Sequence, residues 1–150
     1  MFWIVNCLIW WGVWLIFADK SRWREIVPVS IFASWISLFA EAIVRHDSEL
    51  WCYSGDPLRS LFSHALGIYV VVPYLFIQWL PSNRTLKRTA FYFFLWTGFA
   101  VSNEWVYLYF GQMKHCSWWT LGHSYLADWI LLGLFLLYYD VTRLRSRAKG

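Results

Sequence analysis

Charge is scarce in this 150-residue sequence, in which only 15% of the residues are Asp, Glu, Lys or Arg and 59% are hydrophobic. The sequence also lacks CxxC and Cys/His zinc spacings, so a structural zinc site is not expected. A phosphate-binding glycine loop, a dinucleotide fingerprint and a nucleophilic triad are absent as well. These absences argue against a nucleotide-dependent enzyme or a Ser hydrolase, and we expect neither a cofactor nor a metal.

Five long apolar stretches are present instead, at residues 2–17, 26–44, 58–80, 89–110 and 121–139. Most approach the ~20 residues that a helix needs to cross ~30 Å of hydrocarbon, and no loop between them is long enough to hold a folded domain. We therefore predict an all-α, polytopic membrane protein, with residues 1–150 forming one domain of five transmembrane helices. The first stretch has no basic segment before it and no clear cleavage site after it, so we interpret it as a retained span. Pro73 predicts a kink inside the third.

Basic residues are concentrated after the first, third and fifth stretches, at Lys20, Arg22, Arg24, Arg84, Lys87, Arg88, Arg143, Arg145, Arg147 and Lys149. The positive-inside rule places these segments in the cytoplasm, which predicts an outer N-terminus, an inner C-terminus and a basic cytoplasmic tail at 141–150. The net charge of +4 is divided among short segments beside the membrane, so we expect no nucleic-acid partner. Cys52 and Cys116 fall in the two outer loops, where a disulfide is possible but not required.

Four ionisable residues lie within the apolar stretches at a similar depth near their outer ends, namely Glu41, His64, Glu104 and Asp128. Such groups in membranes usually face the bundle interior, so we predict that these four are the catalytic groups of one outward-opening pocket. The predicted substrate-binding residues are Trp51, Tyr53, Asn103, Tyr107, Trp118 and Tyr125. We expect Trp119 to complete an aromatic roof and apolar packing around Pro73 to close the pocket toward the cytoplasm. Alternatively, the acids form structural pairs that fix helix register.

The segment from Trp51 to Pro81 reads WCYSGDPLRSLFSHALGIYVVVPYLFIQWLP, and the later helix that holds Glu104 precedes a Trp-bearing loop and a basic tail. These features resemble a group of small, functionally unassigned five-span membrane proteins from Gram-positive spore-forming bacteria. The resemblance implies a multi-pass protein of a bacterial plasma membrane and transfers no activity.

A fainter similarity, in the combination of intramembrane acids with aromatic side chains, is to membrane-embedded terpene and carotenoid cyclases. That similarity implies acid-catalysed cyclase or isomerase chemistry on a hydrophobic substrate. A protonated acid would deliver its proton to an alkene or epoxide, and aromatic faces would stabilise the resulting carbocation.

Three function classes remain open. The first, which we rank highest, is a protein whose protonatable Glu residues bind or act on a lipid-like molecule such as an isoprenoid, with membrane lipids or a hydrophobic small molecule as partners. The second is a small proton-coupled transporter. It needs polar groups along a full path, whereas the inner half offers only Ser30, Ser34, Tyr74 and Gln78, so a homodimer would have to complete the path. The third is an accessory subunit that binds a partner membrane protein through small residues such as Gly67.

Overall fold

The structure is a computed structural model that describes residues 2–47 and 50–147. In this part of the chain the helices are α1 Phe2–Phe17, α2 Trp23–Ala42, α3 Pro57–Leu66, α4 Ile68–Gln78, α5 Leu86–Tyr109 and α6 Leu121–Arg147. The 3-10 turn Lys20–Arg22 precedes α2, and the π-helical segment Ile43–Asp47 follows it. Two short strands, β1 Trp51–Tyr53 and β2 Met113–His115, lie in the loops after α2 and α5.

Three helical segments are long and apolar enough to cross a membrane: Lys20–Arg45, Leu58–Gln78 and Leu121–Arg143. Helix α1 is apolar but shorter, with 16 residues. The structure therefore confirms a mostly helical chain with the length and composition of a membrane protein. It also extends α6 through Arg147, so the predicted tail at 141–150 begins as helix, and residues 148–150 lie outside the described part of the chain.

The prediction of a purely helical fold is wrong in one respect, because β1 and β2 form an antiparallel two-stranded sheet. Trp51 pairs with His115, and Tyr53 pairs with Met113. A disulfide between Cys52 and Cys116, whose Cα atoms are 6.0 Å apart, joins the same two loops. Strand pairing gives hydrogen-bond partners to backbone N–H and C=O groups of the two loops, which have none in a helix. The sheet was not predicted because strands of three residues are too short to show an alternating sequence pattern.

The third apolar stretch is interrupted at Gly67, between α3 and α4, and the helix continues through Pro73, where we predicted the kink. Gly67 lies against α1, since a Cβ at this position would be 3.4 Å from the Cys7 Cα atom. The same Cβ would be only 2.6 Å from the Ser63 carbonyl oxygen. Only glycine fits this close approach of α1 to the break, so the interruption of the helix lies at Gly67, whereas Pro73 lies inside α4.

Polar side chains define where α3 and α5 begin. The Asp56 carboxylate accepts a hydrogen bond from the Leu58 amide at 2.9 Å, with Pro57 in the first turn of α3. The Thr85 hydroxyl accepts one from the Arg88 amide at 3.4 Å at the start of α5. Both residues satisfy amide groups that have no partner inside the helix.

The three basic segments meet at one end of the bundle. Arg22 Nε lies 3.1 Å from a Glu25 carboxylate oxygen, and the Tyr139 hydroxyl donates a hydrogen bond to the same carboxylate. The loop before α5 joins this end through an ion pair of 2.6 Å between Arg84 Nη1 and Asp140 Oδ1. The sheet and its disulfide lie at the opposite end, where the ionisable residues of the apolar stretches are also found.

Candidate functional site

A cavity of about 150 Å³ lies between the helices and the inner face of the sheet. Its wall includes Glu41 from α2, His64 from α3, Glu104 from α5 and Asp128 from α6. These are the four residues that we predicted as catalytic groups, and the structure brings all four to the same cavity. Each comes from a different helix, so the cavity exists only when the bundle is assembled.

Four of the six predicted substrate-binding residues also line this cavity: Trp51, Tyr53, Asn103 and Tyr107. Trp118 and Tyr125 do not, although Trp119 does. Trp118 is 62% exposed and packs its ring against His123. Tyr125 lies on a different face of α6 from Ser124 and Asp128, which are four residues apart and line the cavity together. Its ring instead contacts Phe94, with centroids 6.3 Å apart.

Glu41 is fully buried and has three partners. His64 Nδ1 lies 3.1 Å from both carboxylate oxygens, and the Tyr69 hydroxyl donates a hydrogen bond of 2.7 Å. The Arg45 guanidinium is 3.7 Å away. A carboxylate away from water requires such partners. Sequence analysis did not assign Tyr69 or Arg45 to the site, although the four-residue spacing between Glu41 and Arg45 is that of a helical ion pair.

Glu104 is joined to the sheet and to α6. One of its oxygens lies 2.6 Å from His115 Nε2 and accepts a hydrogen bond of 2.7 Å from the Ser124 hydroxyl. The same hydroxyl accepts a hydrogen bond of 2.8 Å from Trp119 Nε1. Neither His115 nor Ser124 was among our predicted site residues. This chain of contacts fixes the carboxylate beside the cavity and holds β2 over it.

Three polar groups on the cavity wall have no partner. Within residues 2–47 and 50–147, the Asp128 carboxylate makes neither a hydrogen bond nor an ion pair. In the same described residues, His64 Nε2 and Trp51 Nε1 are buried without a hydrogen-bond partner, and the His64 residue is only 2% exposed. Buried polar atoms are nearly always satisfied by protein, water or ligand. A water molecule or the polar group of a ligand in the cavity would satisfy these atoms.

Tyr53, on β1, gives the cavity a neutral phenol. Burial, together with the negative charge of Glu41, raises the pKa of Tyr53 well above its usual value of about 10. The Arg45 guanidinium lies over the Tyr53 ring at 4.4 Å from its centroid, a cation–π contact that holds the ring in place. The phenol therefore keeps its proton at neutral pH.

No cluster of three or more His, Cys, Asp or Glu side chains that could hold a metal ion occurs among the described residues. Comparison of the chain with protein-family models, with curated proteins and with solved structures finds no match. Function must therefore be argued from the chemistry of the cavity.

Proposed function

We propose that this protein is a multi-pass protein of a bacterial plasma membrane that binds, and by proton transfer transforms, a lipid-like molecule in the cavity beneath the sheet. The observation that carries the proposal is the convergence of Glu41, His64, Glu104 and Asp128 on one cavity walled by aromatic rings. Ionisable groups in a membrane protein are costly and usually mark a functional site.

The arrangement suits acid-catalysed chemistry on a hydrophobic substrate. A carboxylic acid at Asp128 would give its proton to an alkene carbon, which leaves a carboxylate on the protein and a carbocation on the substrate. The ring faces of Trp51 and Tyr107 would stabilise that cation, and loss of a proton from a neighbouring carbon to the carboxylate would complete an isomerisation. The proton lost returns to Asp128, so the reaction needs no cofactor.

A path for transport would have to continue from the cavity to the basic end. The turns of α2 beyond the cavity-lining Ser37 bury Ala33, Ser30 and Val29 completely, and Ala33 and Val29 belong to the apolar core. At the basic end, Glu25 is engaged by Arg22 and Tyr139. This packing closes the cavity toward the basic end of the bundle. It therefore favours a binding protein or an enzyme over a proton-coupled transporter.

The orientation that we propose has five spans, with the sheet outside the cell. A disulfide between Cys52 and Cys116 forms most readily in an oxidising compartment, whereas basic segments favour the cytoplasm. Labelling of intact cells with a membrane-impermeant maleimide tests this in a Cys7→Ser background. Arg59→Cys, near the sheet, should react, and Asn83→Cys, at the basic end, should react only after permeabilisation. The reverse pattern would overturn the orientation.

Lipid analysis of the purified protein tests the proposed function itself. We expect mass spectrometry to find an amphiphile enriched over bulk membrane lipid in the wild-type protein. Asp128→Asn, which changes the unpartnered carboxylate, should lose that amphiphile. Asp140→Asn is the matched control because Asp140 lies at the basic end, paired with Arg84. If no lipid is enriched, or if Asp128→Asn retains it fully, the accessory-subunit alternative takes precedence.

A further inference from the structure

A second and larger cavity, of about 620 Å³, lies between α1, α4 and α5. Its lining is almost wholly apolar and includes Ile9, Trp10, Leu75, Leu95, Trp96 and Phe99. Trp10 and Leu75 are buried, whereas Ile9 and Leu95 are 57% and 52% exposed. The cavity is therefore a groove with a buried floor and a rim on the outside of the bundle. We call it the α1/α4/α5 groove.

Asn103 lies between this groove and the polar cavity, because it lines both of them. It lies on α5, next to Glu104 and one turn from Phe99, so the polar and apolar compartments meet at its side chain. A molecule with a polar end and an apolar chain would fit such a pair of spaces.

Two buried ring nitrogens of the polar cavity, His64 Nε2 and Trp51 Nε1, indicate which polar group the bound molecule carries. Because a carboxylate can only accept hydrogen bonds, His64 Nδ1 is the donor toward Glu41, and in the tautomer whose single ring proton is on Nδ1 the Nε2 atom is an acceptor. Trp51 Nε1 can only donate. An alcohol hydroxyl donates one hydrogen bond and accepts another, so it has the chemistry to satisfy both atoms.

Charge and size exclude other head groups. The lining of the polar cavity includes the acidic residues Glu41, Glu104 and Asp128 and, in the part of the chain that the structure describes, no Lys or Arg, so an anionic phosphate would find no Lys or Arg partner there. A cavity of about 150 Å³ holds a molecule of roughly benzene size, which leaves no space for a large head group. The α1/α4/α5 groove, at about 620 Å³, lies within the range of about 300–1,000 Å³ that is common for ligand sites.

We propose that the two cavities form one binding site for a neutral long-chain alcohol. Its hydroxyl lies between His64 Nε2 and Trp51 Nε1, and its hydrocarbon chain passes Asn103 into the α1/α4/α5 groove. This inference rests on the proposed function and adds to it the chemical class of the ligand and the position of its chain.

A photoactivatable, clickable hexadecanol tests the inference with the full-length protein in nanodiscs. Unlabelled hexadecanol should compete with the probe, whereas hexadecyl phosphate and hexadecane should compete at least tenfold more weakly. Trp51→Phe keeps the ring but removes the donor, and it should weaken binding by roughly 2- to 10-fold, as expected for one hydrogen bond. Trp118→Phe, at an exposed position outside both cavities, should bind like the wild type.

The position of the chain is tested by filling the groove. Ile9→Trp should reduce labelling at least threefold, whereas Ile4→Trp should not, because Ile4 has nearly the same exposure, 58%, but does not line the groove. Equal competition by hexadecyl phosphate, or no binding of hexadecanol at all, would overturn the head-group assignment. Equal labelling of the two Trp variants would overturn the chain position. Either failure leaves the Asp128-dependent enrichment of another lipid as a separate result, so the proposed function is judged independently.

Discussion

Replacing Glu41 with leucine tests whether this carboxylate holds the cavity together. The substitution removes the acceptor of two buried donors, His64 Nδ1 and the Tyr69 hydroxyl. Leucine is of similar size, so the loss should come mainly from unpaired polar groups. Each unsatisfied buried donor costs about 1–3 kcal/mol, which predicts that Glu41→Leu lowers the free energy of unfolding by about 2–6 kcal/mol. Arg45 is not counted because its side chain is 16% exposed and can reach water.

A double-mutant cycle with Tyr69→Phe separates the hydrogen bond from other effects of the substitution. In the wild type, Tyr69→Phe removes a bond of 2.7 Å to a carboxylate, whereas in Glu41→Leu it removes a hydroxyl that has already lost this acceptor. We expect a coupling energy of about 1–2 kcal/mol. This is at the upper end of the values found for hydrogen bonds in membrane proteins, which reach about 1.7 kcal/mol, because the bond to the fully buried Glu41 side chain is short.

Reversible unfolding in mixed micelles, driven by SDS and followed by Trp fluorescence, would measure these free energies. Tyr92→Phe is the matched control because the Tyr92 hydroxyl donates to the Phe76 carbonyl oxygen at 2.6 Å, outside the Glu41 cluster. Its effect should add to that of Glu41→Leu within about 0.5 kcal/mol. Equally additive behaviour of Glu41→Leu and Tyr69→Phe would refute the reasoning, since it would mean that the two side chains do not interact.

Three further predictions concern the sheet and the basic end. Cys52→Ser should lower the free energy of unfolding by at most about 4 kcal/mol, which is the chain-entropy value for a disulfide between residues 64 positions apart. Dithiothreitol should therefore lower the SDS concentration at which half of the wild-type protein unfolds, but should not change that of the variant. Arg84→Ala should cost no more than about 1 kcal/mol, with a difference that shrinks in high salt, because the pair with Asp140 is partly exposed. Tyr53, whose pKa is raised on folding, stabilises the fold below about pH 10 and loses this contribution as the pH rises further. Unfolding at pH 9 and pH 11 should therefore differ less in Tyr53→Phe than in the wild type.

Much of the helical framework could be predicted from the sequence. The first apolar stretch has the bounds of α1, Phe2–Phe17, because a mostly apolar run of 16 residues is much longer than a typical strand and therefore favours a helix. Residue counts also predicted Glu41 and Glu104 at a similar level of the bundle, because a helix rises by a fixed ~1.5 Å per residue, and both residues line the same cavity. Residue counts predict how far along the bundle a residue lies. The direction in which its side chain points is known only from the structure.

The contacts of the cavity could not be predicted because they depend on non-helical geometry. The break at Gly67 changes the helical register, so His64 and Tyr69 reach the same carboxylate although their spacing of five residues is not that of one helix face. The sheet, which supplies Trp51 and His115, depends on pairing between loops that are far apart in the sequence. For the same reason, the sequence around these two adjacent residues could not show that Trp119 lines the cavity and Trp118 does not.

The partners of the two glutamates change which groups should meet a ligand. Glu41 and Glu104 were predicted as the proton-transfer residues, yet each is engaged by a histidine and a hydroxyl. A carboxylate with these partners would have to give up a buried hydrogen bond before it could accept one from a substrate, which costs about 1–3 kcal/mol. Asp128 and His64 Nε2 face no such cost, because neither has a hydrogen-bond partner within the described ranges 2–47 and 50–147. We infer that the two glutamates position His64 and His115, and that the groups available to a bound molecule are Asp128, His64 Nε2 and Trp51 Nε1.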